Sequence, residues 1–219
     1  MKRKFTCLIM CAVSCAMVAQ TTGEEAGHTW IDMGLPSGIK WASANIGANR
    51  PQDAGSYYAW GETTSKTDYR WATYAHGAGY KSLTKYSNAD GLMSLDATDD
   101  VATSTWGGTW RMPTKEGWAE LQTNCDWTWT DDYNQTGVAG YVVASKSSEA
   151  SLFLPAAGCR YANQFNEKGV HGYYWSSSLY QTSTYCGSAY QLQFTQVYAK
   201  PDWNYARYYG SSVRGVCNP

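Results

Sequence analysis

The sequence predicts a strand-rich α+β chain with one clear helix. Three observations predict it. The composition is heavy in Trp (11), Tyr (18) and Gly (21) and light in Leu and Ile. Large rings and frequent turns favour strands and ordered loops over a helix bundle. Short runs of aromatic and β-branched residues recur between turn signals, as in Trp127-Thr128-Trp129-Thr130, and such alternation suits half-buried strands. Only the stretch from Trp106 to Gln122 joins a helix start to helical apolar spacing.

In that stretch, Gly107-Gly108 is a turn signal and Pro113 holds Met112 extended. Thr114 stands at the N-cap, Glu116 puts negative charge in the first turn, and Trp118 and Leu121 share a face. The plain reading is a helix pinned to a core by tryptophans; Arg111, Lys115 and Glu116 carry no catalytic pattern.

Residues 1–20 read as a signal peptide. Lys2, Arg3 and Lys4 precede an apolar run, Phe5 to Ala19, that is short for a membrane span. Ser14-Cys15-Ala16 and Met17-Val18-Ala19 offer small residues for cleavage. Lipidation at Cys15 is the competing outcome, although the usual leucine three residues earlier is missing. Residues 21–28 read as a flexible lead-in and 29–219 as one domain of about 190 residues, within the usual size of a domain. No second apolar span occurs, so no transmembrane helix is expected in the mature chain. The formal net charge is -1 with both signs interspersed. Without a basic stripe, nucleic acid is not an expected partner.

Trp30 to Leu35 and Ile39 to Ala42 read as a hairpin across Pro36-Ser37-Gly38. Tyr57 to Trp60 reads as a short strand. Residues 63–91 are polar without a period and read as a long loop, functional or mobile. Leu95 to Ala102 reads as a short helix capped by Asp96. Its Asp96, Asp99 and Asp100 lack the ligand spacing of a calcium loop. After the central helix come Trp127–Thr130, an antiparallel pair from 138–146 and 151–156, and strands at 173–178, 190–195 and 208–217.

The mature chain holds Cys125, Cys159, Cys186 and Cys217. An even set in an exported protein suggests disulfides in one of three connectivities; the alternative is free, buried thiols. The spacings are too wide for a zinc ribbon. No G-x-S-x-G, H-E-x-x-H or phosphate-binding loop occurs, and His28, His76 and His171 lie far from any cysteine in sequence. Trp175-Ser176-Ser177-Ser178 reads as a strand with backbone-bonded hydroxyls, since no base accompanies it. No catalytic residue, metal site or cofactor is expected.

From Tyr173 to Tyr209, tyrosines alternate with Ser, Thr, Asn, Gln and Gly. Tyrosine supplies contact area at low rotamer cost and small polar residues supply adaptable hydrogen bonds. The binding face is expected on the loops 175–192 and 194–214. The expected contacts are Tyr180, Tyr185, Tyr198, Trp203, Asn204 and Tyr205. The competing reading is ordinary ordered loops of a tyrosine-rich fold.

A family resemblance rests on ordered segments. RMPTKEGWAEL resembles a signature of the C-type lectin-like fold, in the branch that includes formylglycine-generating enzymes. WIDMGLPSGIKWASANIG, YYAWGET, LDATDDVATSTWGGTWRMPT, NCDWTWT, SLFLPAAG, GYYWSSS and SVR follow the order of the Fibrobacter succinogenes major paralogous domain. The resemblance runs from Trp30 to Arg214. It implies a C-type lectin-like domain exported to the surface or secreted fraction of a Bacteroidetes-type bacterium. It also implies pairing of Cys125 with Cys217 and of Cys159 with Cys186. The segment between Trp175 and Arg214 resembles the variable region of diversity-generating retroelement targets. Gln181, Lys200 and Trp203 do not fit the simplest adenine-directed scheme. The Glu-Pro-Asn, Gln-Pro-Asp and Trp-Asn-Asp motifs of calcium-dependent lectins are missing, as is the close cysteine pair of the enzymes. The implied function is non-catalytic binding of a protein or glycan. The alternatives are an enzyme of the formylglycine-generating type and a structural component of a surface adhesin.

Overall fold

The structure, a computed structural model, describes residues 22–219. The expected signal peptide and the competing Cys15 lipidation lie outside the described residues. The described chain is a strand-rich α+β fold with two short α-helices.

The first strand, β1 (Thr22–Glu25), pairs antiparallel with β2 (His28–Ile31). This corrects the flexible lead-in expected over 21–28. Ala26 and Gly27 both take positive φ (48° and 78°), the conformation a two-residue hairpin turn requires. The Glu25 carboxylate accepts from Thr109 N at 2.8 Å, and its carbonyl accepts from Trp110 Nε1 at 2.7 Å. Next, β3 (Lys40–Ala42) pairs with β2, and the C-terminal β12 (Val216–Cys217) closes the order β1-β2-β3-β12. The expected turn at Pro36-Ser37-Gly38 is closed by Gly38 N donating to Leu35 O at 2.9 Å.

Two expectations in the next segment change. Tyr57 to Trp60 makes an isolated bridge, Tyr58 to Ser211, in place of a strand. The first helix, α1, spans Val101–Trp106 and is capped by Asp100, not Asp96. Asp100 Oδ1 accepts from Ala102 N and Thr103 N, and Oδ2 accepts from Met112 N at 2.8 Å. Asp96 is instead bound to Lys85 Nζ at 2.6 Å. Residues 63–91 contain little regular structure but are tied down. Tyr69, Tyr74 and Tyr86 are buried and their hydroxyls donate to Tyr57 O, Trp60 O and Asp99.

The central helix, α2 (Lys115–Asn124), starts as its sequence predicts: Thr114 Oγ1 accepts from Gly117 N at 3.1 Å. Trp118 and Leu121 are fully buried. The Trp118 ring lies 4.6 Å from that of Trp41, and its Nε1 donates to Trp175 O. A meander follows, β4 (Cys125–Thr130), β5 (Gly140–Ser145) and β6 (Ser151–Pro155). A small hairpin, β7 (Cys159–Tyr161) with β8 (Gln164–Asn166), leads into β9 (Gly172–Tyr180). The last sheet has the order β11-β10-β9, with β10 at Ser188–Thr195 and β11 at Tyr198–Ala206.

That third sheet corrects the C-terminal reading. The expected strand at 208–217 survives only as β12, and the expected 194–214 loop contains β11. Pro201 argues against a strand, but β11 is an edge strand and carries a bulge there, where proline is tolerated. Beyond β11, Arg214 is fully buried and donates to Asn45 Oδ1, Ala42 O and Phe153 O at 2.8–2.9 Å. This guanidinium ties β3, its following loop and β6 together.

The expected disulfides are not formed. Cys125, Cys159, Cys186 and Cys217 are all free and buried. Cys125 packs with Trp41 and Trp118, whereas Cys217 packs in a second cluster with Trp60, Trp110 and Trp175. Each thiol serves as a small apolar residue. Burial pushes Cys125 up to about 11 and Cys217 up to about 12.

Candidate ligand-binding face

The register of the β11-β10-β9 sheet decides which tyrosines meet. Tyr198 lies opposite Thr195, Lys200 opposite Gln193, Trp203 opposite Gln191 and Tyr205 opposite Ala189. Between Lys200 and Trp203, β11 takes three steps where β10 takes two. The bulge therefore keeps all four residues on one face. On the other side of β10, Gln193 faces Tyr173. One sheet face thus carries Tyr173, Gln193, Tyr198, Lys200, Trp203 and Tyr205. Gln193 Nε2 donates to Tyr198 Oη at 3.2 Å, and Lys200 Nζ lies 5.1 Å from the Trp203 ring centre.

The six expected contacts therefore separate. Tyr198, Trp203 and Tyr205 share this face. Tyr180 lies opposite Ser188 and Asn204 opposite Tyr190, which puts both on the face toward α2. There Tyr180 meets Tyr190 edge-on at 5.4 Å, and Lys115 Nζ sits 4.5 Å over Tyr190. Tyr185 belongs to neither face. It lies in the turn before β10, against Tyr80, with its hydroxyl 3.1 Å from Ser188 Oγ. Trp203 is 40% exposed, and Tyr205 is half-buried.

Around Tyr205 the structure adds residues that the sequence reading did not single out. His171, Tyr173, Tyr205, Tyr209 and Tyr161 form a continuous row of ring contacts, with centres 4.4–5.6 Å apart. Beside the row opens a cleft of about 360 Å³ lined by Cys159, Phe165, Asn166, Glu167, Tyr205 and Tyr209. Glu167 is its only carboxylate. The Tyr173 hydroxyl donates to Glu167 Oε2, and His171 Nδ1 lies 3.9 Å from the same oxygen. The small hairpin that supplies this cleft had a faint signal in Cys159 to Phe165, where polar and aromatic residues flank Ala162-Asn163. Nothing in the linear sequence places Glu167 beside Tyr173.

The backbone under Glu167 is unusual. Glu167 takes φ 59°, a left-handed conformation costing a non-glycine residue about 1–2 kcal/mol. The turn is held by Val170 N and His171 N donating to Glu167 O at 3.1 and 2.9 Å. It packs against Gly158, where a Cβ would lie 2.2 Å from Asn166 O and 2.7 Å from Lys168 N. The carboxylate is therefore set on a rigid base.

Burial pushes the Tyr173 and Tyr205 hydroxyls well above the usual phenol range, with Glu167 adding to both. The Cys159 thiol is pushed up to about 12, first by burial and then by the Glu167 charge. The cleft thus offers a neutral Tyr205 phenol and a protonated Cys159 thiol beside the Glu167 side chain. A protonated, buried thiol is a poor nucleophile. What the site offers is ring contact and hydrogen bonding. Among the described residues, no group of three or more His, Cys, Asp or Glu side chains is placed to hold a metal ion. Cys186, in the turn before β10, is buried and free.

Fold and site together define a strand-rich α+β domain that presents an aromatic-polar sheet face and an acidic cleft. The profile of a family described as a domain of unknown function (DUF8237) matches residues 129–216. This stretch contains the whole face and cleft. No curated protein and no solved structure matches the chain.

Proposed function

We propose that the protein is an exported, non-catalytic binding domain of the C-type lectin-like class. It engages a protein or glycan at the bacterial surface through the β11 edge of the β11-β10-β9 sheet. The observation that carries this reading is the bulged register that sets Tyr198, Trp203 and Tyr205 together on one face. Rigid strands beneath large, half-exposed rings are how recognition surfaces are commonly built. The ordered motifs from Trp30 to Arg214 support the class, and the charged and apolar start of the chain supports export. Among the described residues, no helix is long and apolar enough to cross a membrane.

Diversification by a retroelement is part of the proposal, since the tyrosine-rich positions between Trp-Ser-Ser-Ser and Ser-Val-Arg include Tyr190, Tyr198 and Tyr205 on β10 and β11. A template repeat beside the gene, differing at adenines, is the expected finding; its absence would remove this part alone. The function itself is tested by screening the purified protein on a glycan array and against surface proteins. The hit should lose affinity in Trp203→Ala. Unchanged affinity would move the binding face elsewhere. Rapid native alkylation of Cys186 would favour the enzyme reading instead.

A further inference from the structure

We infer that the cleft beside Tyr205 is a subsite for a protonated primary amine. The inference deepens the binding reading and rests on the same sheet, but it concerns a different set of side chains. The cleft's polar groups all have acceptor capacity and carry no positive charge: the Glu167 carboxylate, the Asn166 amide, two phenol oxygens and the Cys159 thiol. None of its lining residues is Lys or Arg. His171 Nδ1 lies 3.9 Å from Glu167 Oε2, a pair that is ionic only when the imidazole is protonated. The small hairpin also carries Arg160, which lies opposite Phe165, 4.0 Å from its ring centre, and donates to Thr67 O and Asn163 O. It is engaged there and forms no ion pair with Glu167.

Glu167 is open to incoming donors, with its side chain 46% exposed. Oε2 accepts from Tyr173, while no side chain among the described residues bonds Oε1. An ammonium group has three donors and no acceptor, so it matches a carboxylate oxygen flanked by phenols. Tyrosine rings add attraction for a cation at close range. Glu167 raises Tyr173, Tyr205 and Cys159 alike, in addition to burial. The cleft is also large enough to admit a small ligand group. A neutral sugar hydroxyl would satisfy the same oxygen but gain nothing from the charge.

The amine could be carried by a small molecule or by a lysine side chain, and the test separates these sources. The purified full protein is titrated with n-butylammonium and with n-butanol at constant ionic strength, followed by ligand-observed NMR. Butylammonium should bind saturably and at least tenfold more tightly than butanol. Glu167→Gln keeps an acceptor for Tyr173 and should weaken butylammonium at least tenfold while leaving butanol and the thermal midpoint unchanged. A peptide with one lysine should compete if lysine is the source, and fail if only free amines enter. Equal binding of amine and alcohol, no saturable amine binding, or an unchanged affinity in Glu167→Gln would overturn the inference. Trp203→Ala separates the two readings, because it should weaken the array ligand while sparing butylammonium.

Discussion

Trp118 shows how one residue can be read from sequence through to energetics. Its spacing from Leu121 and the Thr114 cap predict a buried helix face, and its ring is fully buried against Trp41 with Nε1 bonded to Trp175 O. Trp118→Ala should cost about 3–5 kcal/mol, as cavity-forming truncations of large core rings do. Denaturant unfolding checks this, and a loss below about 1 kcal/mol would mean that the helix does not anchor the core. Asp32 gives a pH signature. Its hydrogen bond to Lys40 Nζ, at 2.5 Å, holds its carboxyl below the ordinary value of 3.8, helped by Gly34 N. A depressed folded value means the contribution is present above 3.8 and is lost as pH falls through the lower folded value. Acid unfolding of Asp32→Asn should lack that part of the slope; an identical acid profile would show that the pair contributes nothing. Residues whose role is set by distant neighbours were illegible: Glu167 and Arg214 are ordinary charges in the sequence.

Elements were legible where period, cap and turn agreed. The β4-β5-β6 meander, α2 and the Pro-Ser-Gly turn all had such local agreement. Elements failed where a tertiary contact outvoted a local sign. Asp96 and Asp100 are equally good caps by type, and only the Met112 and Lys85 contacts separate them. Asp100→Ala should remove the α1 cap and strand Met112 N, costing about 1–3 kcal/mol. Asp96→Ala should cost less than about 0.5 kcal/mol, as is usual at an exposed site. Equal losses measured by thermal unfolding would contradict this cap. The stretch 194–214 reads as a loop, yet it contains β11, an edge strand whose bulge accommodates Pro201. The bulge then determines which side chains share the ligand face, which sequence alternation alone misassigns.

At the scale of the whole molecule, the strand-rich class was legible from composition, because abundant rings and glycines leave few other architectures. The cysteine framework was not, since an even count says nothing of distance. The four thiols lie in separate surroundings, and three of them are raised by burial. Native alkylation followed by peptide mapping should leave Cys125, Cys159, Cys186 and Cys217 unmodified, and denaturation without reductant should expose all four as free thiols. Any disulfide-linked peptide pair would contradict the free-thiol core.

The binding face is where the molecule's strands, bulge and rings converge, and Trp203 is its most exposed large ring. The most direct test takes the ligand recovered from the array and measures affinity and thermal midpoint together for Trp203→Ala. Truncation should cost about 2 kcal/mol or more of affinity, as aromatic hot spots do. Folding stability should change by no more than about 0.5 kcal/mol, as expected of an exposed side chain. Retained affinity with a lowered midpoint would make Trp203 a core ring and contradict the proposed face.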